Sequence, residues 1–208
     1  MTRVIVDGVE RPRDADHETW GELLSALEAD LATAGRAVTV TRFDGVDVPT
    51  YRSESQQVHR LQLFSSIEID TVPTTALLRQ GLSEAAGALE TLCGAASRIG
   101  GEFRGHDVKG ANVELVSLAQ SLGTLVTLIG VVGQALDVDF EAFTVSGGSA
   151  KALFEETGSQ IGFLVKAQQS EDWVAVADTL EYDVSPALGR WRELLTALHE
   201  RAGTLATA

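Results

Sequence analysis

Cysteine and basic charge are what this sequence has least of. Cys93 is the single cysteine in 208 residues, which excludes a disulfide within the chain and a thiolate metal cluster built from it. A reducing, cytoplasmic setting is the expectation that follows. Beside Leu92 in a helical pattern, Cys93 reads as a small apolar residue and not as a nucleophile. Lys and Arg number 16 against 30 Asp and Glu, a formal charge of −14. Such a surface repels phosphate backbones and anionic membranes. Neither half conceals a basic domain: residues 1–72 hold 7 Lys/Arg against 13 Asp/Glu, and residues 73–208 hold 9 against 17. Nucleic acid and membranes are therefore not expected partners. Met1-Thr2-Arg3 runs straight into Val4-Ile5-Val6, without the long apolar stretch and cleavage site of a secretion signal.

Catalytic patterns are missing too. The histidines His17, His59, His106 and His199 occur in no His-Glu-x-x-His or Glu-x-x-His pattern, so no metal is expected. His106-Asp107 reads as a turn and helix cap, and His17 lies among the solvated charges of Asp14, Asp16 and Glu18. No Gly-x-Gly-x-x-Gly or Gly-x-x-x-x-Gly-Lys run supports nucleotide binding, and no cofactor is expected. Ser65, Ser66, Ser146 and Ser149 sit outside any Gly-x-Ser-x-Gly context. Asp178 and Glu181 share a helix face at spacing three, and with Asp172 and Asp183 make an acidic side. A solvated face is the plainer account of it.

What is present is rhythm. Leu78, Leu82, Ala85, Leu89, Leu92, Ala96 and Ile99 recur at alternating spacings of four and three, as do Leu115, Leu118, Leu122, Leu125, Ile129, Val132 and Leu136. At about 100° per residue this keeps each set on one helix face that another helix must cover. A first long helix is expected from Thr74 or Thr75 to Gly100-Gly101, a second from Val108 to Leu136, and a third from Ser149 to Gln169. A fourth starts near Ser170, and Ser185-Pro186 should kink or divide it. The uncharged run Leu115–Gly133 is long enough to span a bilayer, but its Ser, Thr and Gln residues favour a buried bundle helix. Beside its leucines runs a second stripe of Val116, Ala119, Gly123, Val126, Gly130 and Gly133. That helix is expected to be buried on two sides, as the bundle centre or as a dimer seam, with Gly123, Gly130 and Gly133 as candidate self-association residues.

The first seventy residues change period from seven to two. Asp7-Gly8 and Asp44-Gly45 each divide a pair of short strands and favour tight hairpin turns. Between them Thr19-Trp20-Gly21-Glu22 reads as a capping box before a helix carrying Leu23, Leu24, Leu27 and Leu31, with Gly35 at its end. Leu61, Leu63, Ile67 and Ile69 alternate with polar residues as a further strand, with a bulge or break at Ser65-Ser66. The order strand-strand-helix-strand-strand-strand resembles the ubiquitin-like β-grasp in topology. The chain lacks the free Gly-Gly tail of conjugated members and ends Thr207-Ala208, so a covalent modifier is not expected.

The sequence is thus read as α+β, a small β-grasp-like α/β domain over residues 1–72 followed by an antiparallel four-helix bundle over residues 73–208. Leu164-Val165-Lys166-Ala167 before Asp172-Trp173, with Leu188-Gly189-Arg190-Trp191 after it, gives the helical half a resemblance to flagellin export chaperones. Those are small cytoplasmic bundles whose penultimate helix leads through an alanine-containing turn into a final helix bearing a tryptophan. The resemblance implies a groove that holds a partner segment, and the β domain is no part of that family. The expected function is a non-enzymatic adaptor or chaperone-like module that takes a partner's amphipathic segment. Trp173, Trp191 and Leu188 are its candidate groove residues, although large aromatics on an apolar stripe are usually core. The alternatives are a homo-oligomeric structural protein, a homodimer being the simplest, or an enzyme or small-ligand binder using the Asp178/Glu181 side or a cleft between domains.

Overall fold

The computed structural model describes residues 2–11, 17–105 and 107–205. His106, the acidic neighbours Asp14 and Asp16, and the chain end Thr207-Ala208 lie outside them. The protein is a mixed α+β chain that divides into two compact units, Met1–Leu77 and Leu78–Ala208.

The first unit is a five-stranded sheet with one long helix. Strands β1 (Arg3–Val6), β2 (Val9–Arg11), β3 (Arg36–Phe43), β4 (Val46–Asp47) and β5 (Ser66–Pro73) lie in the order β2-β1-β5-β3-β4. β1 pairs parallel with β5 and the other pairs are antiparallel. Both Asp-Gly turns hold two successive positive φ angles, 51° and 78° at Asp7-Gly8 and 51° and 80° at Asp44-Gly45, which match the right-handed strand twist. Their carboxylates also tie the turns to β5. Asp7 accepts the Thr71 N–H at 2.8 Å, and Asp44 accepts those of Ser65 and Ser66 at 2.7 and 2.8 Å. Helix α1 (Trp20–Thr33) starts with the Thr19/Glu22 capping box and buries Trp20, Leu23, Leu24, Leu27 and Leu31. They meet Val4, Val6, Val38, Phe43, Ile67 and Ile69 of the sheet in one core.

One strand expectation is corrected. Leu61–Leu63 is a single 3₁₀ turn, and β5 begins only at Ser66. Phe64 and Leu63 donate their N–H groups to Leu61 and Arg60, three residues back, and Leu61 donates its own to Glu18 in an isolated bridge beside the start of α1, so these N–H groups are not free to extend the β5 ladder. Leu61 is buried and Leu63 exposed, a pattern that period-two alternation does not produce. A one-turn helix, α2 (Glu54–Gln57), occupies the preceding polar stretch.

The second unit contains α3 (Thr74–Arg104, which starts directly after β5), α4 (Val108–Ala135), α5 (Ala150–Gln169), α6 (Trp173–Asp178) and α7 (Ser185–Leu205). A small hairpin of β6 (Thr144–Val145) and β7 (Gly148–Ser149) precedes α5. The α3 and α4 stripes face inward: Leu82, Ala85, Leu89, Ala96 and Ile99, and all seven apolar positions from Leu115 to Leu136, share one core with α5, α6 and α7. Leu78 and Leu92 are partly buried at its margin. Pro186 does not break the final helix. The chain widens into a π-helix over Thr179–Val184 just before it, and the Ser185 N–H reaches five residues back to Leu180 O. Its hydroxyl donates to the same oxygen at 3.0 Å. A proline ring collides with the carbonyl four residues back and has no N–H for it; the extra residue in the turn removes both difficulties.

Candidate binding groove

Two of the three residues expected to line a groove, Leu188 and Trp191, lie in the core. Both are fully buried because they fall on the inward face of α7, where the core closes over them. The Trp191 indole donates to Thr157 Oγ1 at 3.0 Å, and that hydroxyl donates to Leu153 O at 2.8 Å. The indole also meets Phe154 edge-on, and Phe154 meets Phe140 likewise. In this conformation neither Leu188 nor Trp191 is available as a surface anchor. Trp173 is partly buried and stacks on Phe103, with centroids 5.5 Å apart. It therefore closes the turn between α5 and α6 against the end of α3.

The acidic side of the last helix is likewise engaged. Arg104, in the last turn of α3, pairs with both Asp178, at 2.6 Å, and Glu181, and lies against the Tyr182 ring. These two carboxylates thus fasten α3 to the α6–π segment. Among the described residues there is no group of three or more His, Cys, Asp or Glu side chains that could hold a metal ion.

The small-residue stripe of α4 divides. Gly133 is buried, and a Cβ there would run into the Phe140 ring, so it serves close packing inside the chain and not a seam between chains. Gly123 and Gly130 are exposed, with open space where a side chain would project. Val116, Ala119 and Val126 are exposed beside them, as are Val113 and Val131 farther along. Helix α4 is accordingly buried on one side only. Among the described residues it is the one helix long and apolar enough to cross a membrane, and a third of its most apolar window is buried.

Where α4 lies beside α5, a groove of about 390 Å³ opens at the Val116–Ala119 end of this second stripe. Val116, Ala119 and Gln120 form one wall and Ile161, Val165 and Gln168 the other, with Leu118, Leu122 and Leu164 among the residues at its floor. No charged residue lines it. Its register is set at one end, where Gln168 donates to Asn112 Oδ1 at 2.7 Å, and by the Trp191–Thr157 bond beneath it. Farther along α5, Arg190 pairs with Glu156 and holds that carboxyl below its ordinary range. A second hollow of about 450 Å³ lies between α3 and α4, where hydroxyls of Thr91, Ser121 and Thr124 interrupt Ala88, Leu92 and Leu128.

Polar side chains do not spoil the α4 surface for an apolar occupant. The hydroxyls of Ser117, Ser121, Thr124 and Thr127 each donate to the carbonyl four residues back in the same helix, at 2.9 to 3.3 Å. Covering them therefore strands no donor, which removes the main cost of burying a hydroxyl. On α5, Ile161 and Val165 carry no sequence signal that separates a groove wall from core, whereas the α4 wall is visible in the second stripe through Val116 and Ala119.

No curated protein and no solved structure matches this chain. One family model does, over residues 80–194, which is more than half of the sequence and takes in α3, α4, α5, α6 and the first part of α7. The chain belongs to that family, described as Domain of unknown function (DUF8042).

Proposed function

We propose that the protein is a non-enzymatic protein-binding module, an adaptor or chaperone-like cytoplasmic protein, whose α4–α5 groove holds the apolar face of a partner's amphipathic helix. The observation that carries this reading is the uncharged groove bordered by exposed Val116 and Val165. A helix-in-groove contact needs an apolar trough with few polar demands, and here two of the polar lining residues, Thr157 and Gln168, already have partners within the chain. On this reading α3, α4, α5 and the continuous α6–π–α7 segment form the four members of an antiparallel bundle. The resemblance to flagellin export chaperones rests on Leu164-Val165-Lys166-Ala167 before Asp172-Trp173 and Leu188-Gly189-Arg190-Trp191 after it; the first two of these segments flank the turn between α5 and α6. The N-terminal unit is read as a β-grasp; its strand order β2-β1-β5-β3-β4 with parallel β1 and β5 supports this.

A labelled model helix of about five turns, leucine on one face and glutamine on the other, tests the groove by fluorescence anisotropy. Ala119→Arg, on an exposed wall position, should weaken binding at least roughly tenfold, about 1.4 kcal/mol, while the helical circular dichroism is unchanged. Equal binding by the variant, or equal binding of a scrambled peptide, refutes the proposal.

A further inference from the structure

We infer that a second copy of this chain is the occupant of the α4 face: two α4 helices pack antiparallel about a two-fold axis, each laying its exposed stripe along the other's α4–α5 groove. This rests on the reading of the groove as a docking site.

Charge selects the occupant. A two-fold contact sets a patch against itself, so any charged patch on a chain of net charge −14 meets its own sign. Leu115–Gly133 carries no charge over its whole length, and the groove beside it carries none. Here a self-contact involves no like-charge repulsion, whereas an anionic bilayer would face the rest of the acidic chain. Shape agrees with charge. Gly123 and Gly130, on the same exposed face of α4 as the groove-wall residue Ala119, have open space where a side chain would stand, so the α4 surface continuing from the groove is low enough for a helix to approach closely.

The extent also suffices. The uncharged Leu115–Gly133 segment of α4 is about 28 Å long and at roughly 10 Å width offers some 280 Å². The facing wall of α5, a helix of 20 residues, adds a strip of similar order, which brings the two copies together to about 1,100 Å², just above the ~1,000 Å² a specific interface needs.

Sedimentation of the full chain from micromolar to hundreds of micromolar tests this, with Gly123→Glu as the seam-breaking variant. The wild type should reach twice the 22.1 kDa mass of the chain, and the variant should remain monomeric with an unchanged circular dichroism spectrum. A wild type that stays monomeric throughout, or a variant that dimerises equally well, overturns the inference. So does pelleting with neutral phosphatidylcholine vesicles in place of self-association, which would assign the face to a bilayer. A monomeric wild type that still binds the model helix leaves the groove standing and removes only the second copy; a wild-type dimer whose dilute monomer ignores the peptide does the reverse.

Discussion

Replacing Trp191 by phenylalanine separates a core role from a binding role. The indole has no exposed surface to lose, so the effect must be on stability. Phenylalanine keeps one ring against Phe154 but removes the part of the indole that carries the Nε1–H. The lost apolar volume costs about 1.5–2 kcal/mol, at ~0.8 kcal/mol per buried methylene equivalent. The Nε1–H bond to Thr157 Oγ1, 3.0 Å and fully buried, adds about 1 kcal/mol. A total near 3 kcal/mol is expected, and for the helical unit each kcal/mol moves the midpoint by roughly 4 °C. Urea melts followed at the helical circular dichroism band, with Thr157→Val and the double variant completing the cycle, isolate the bond. The double variant should be less destabilised than the sum of the singles by about 1 kcal/mol, since each single leaves a buried partner unmatched. Strict additivity would refute the hydrogen-bond account. A normal melt with lost peptide binding would return Trp191 to the surface role expected from sequence.

Two glycines on one helix should respond in opposite directions. Gly133→Ala drives a Cβ into the Phe140 ring and should destabilise by about 1–3 kcal/mol, whereas in the dilute monomer Gly123→Ala enters open space and should stabilise by up to about 1 kcal/mol through helix propensity; thermal melts of both at a dilution that keeps the chain monomeric decide it, and equal shifts would contradict the packing described. In the first unit, the Thr71 hydroxyl and N–H, with Arg36 beside them, hold the Asp7 carboxyl below its ordinary value. A carboxyl whose folded value is depressed contributes fully above its unfolded value near pH 4 and loses that contribution as pH falls through the lower folded value. Asp7→Asn should therefore be less stable than wild type at neutral pH, with the gap closing towards pH ~2; a gap constant with pH would refute the ionic part.

Much of this fold was legible because the signals were local or strictly periodic. The Asp-Gly turns need two positive φ angles, which few other pairs supply, and both formed. The Thr19/Glu22 box and the seven-residue rhythm of Leu115 to Leu136 likewise state their geometry in a handful of positions. Leu61 and Leu63 failed because two apolar residues at spacing two are compatible with a turn as well as a strand, and the decider, the Asp44 carboxylate binding at Ser65-Ser66, comes from a distant part of the chain. The burial of Leu188 and Trp191 was not legible for a related reason. Periodicity reports which side chains share a face and not whether that face is covered, so buried Trp191 and exposed Val116 looked alike. Only packing distinguishes the inward leucines of α4 from the valine and glycine stripe a third of a turn away.

The central claim is that a partner's apolar face is received between α4 and α5. Methyl NMR of the full chain, titrated with the model helix, tests it most directly. Shifts concentrated at Val116, Leu118, Ile161 and Val165, with Leu188 and Leu194 of the core unmoved, are the expected result. Shifts confined to other surfaces, or none at saturating peptide, would contradict it.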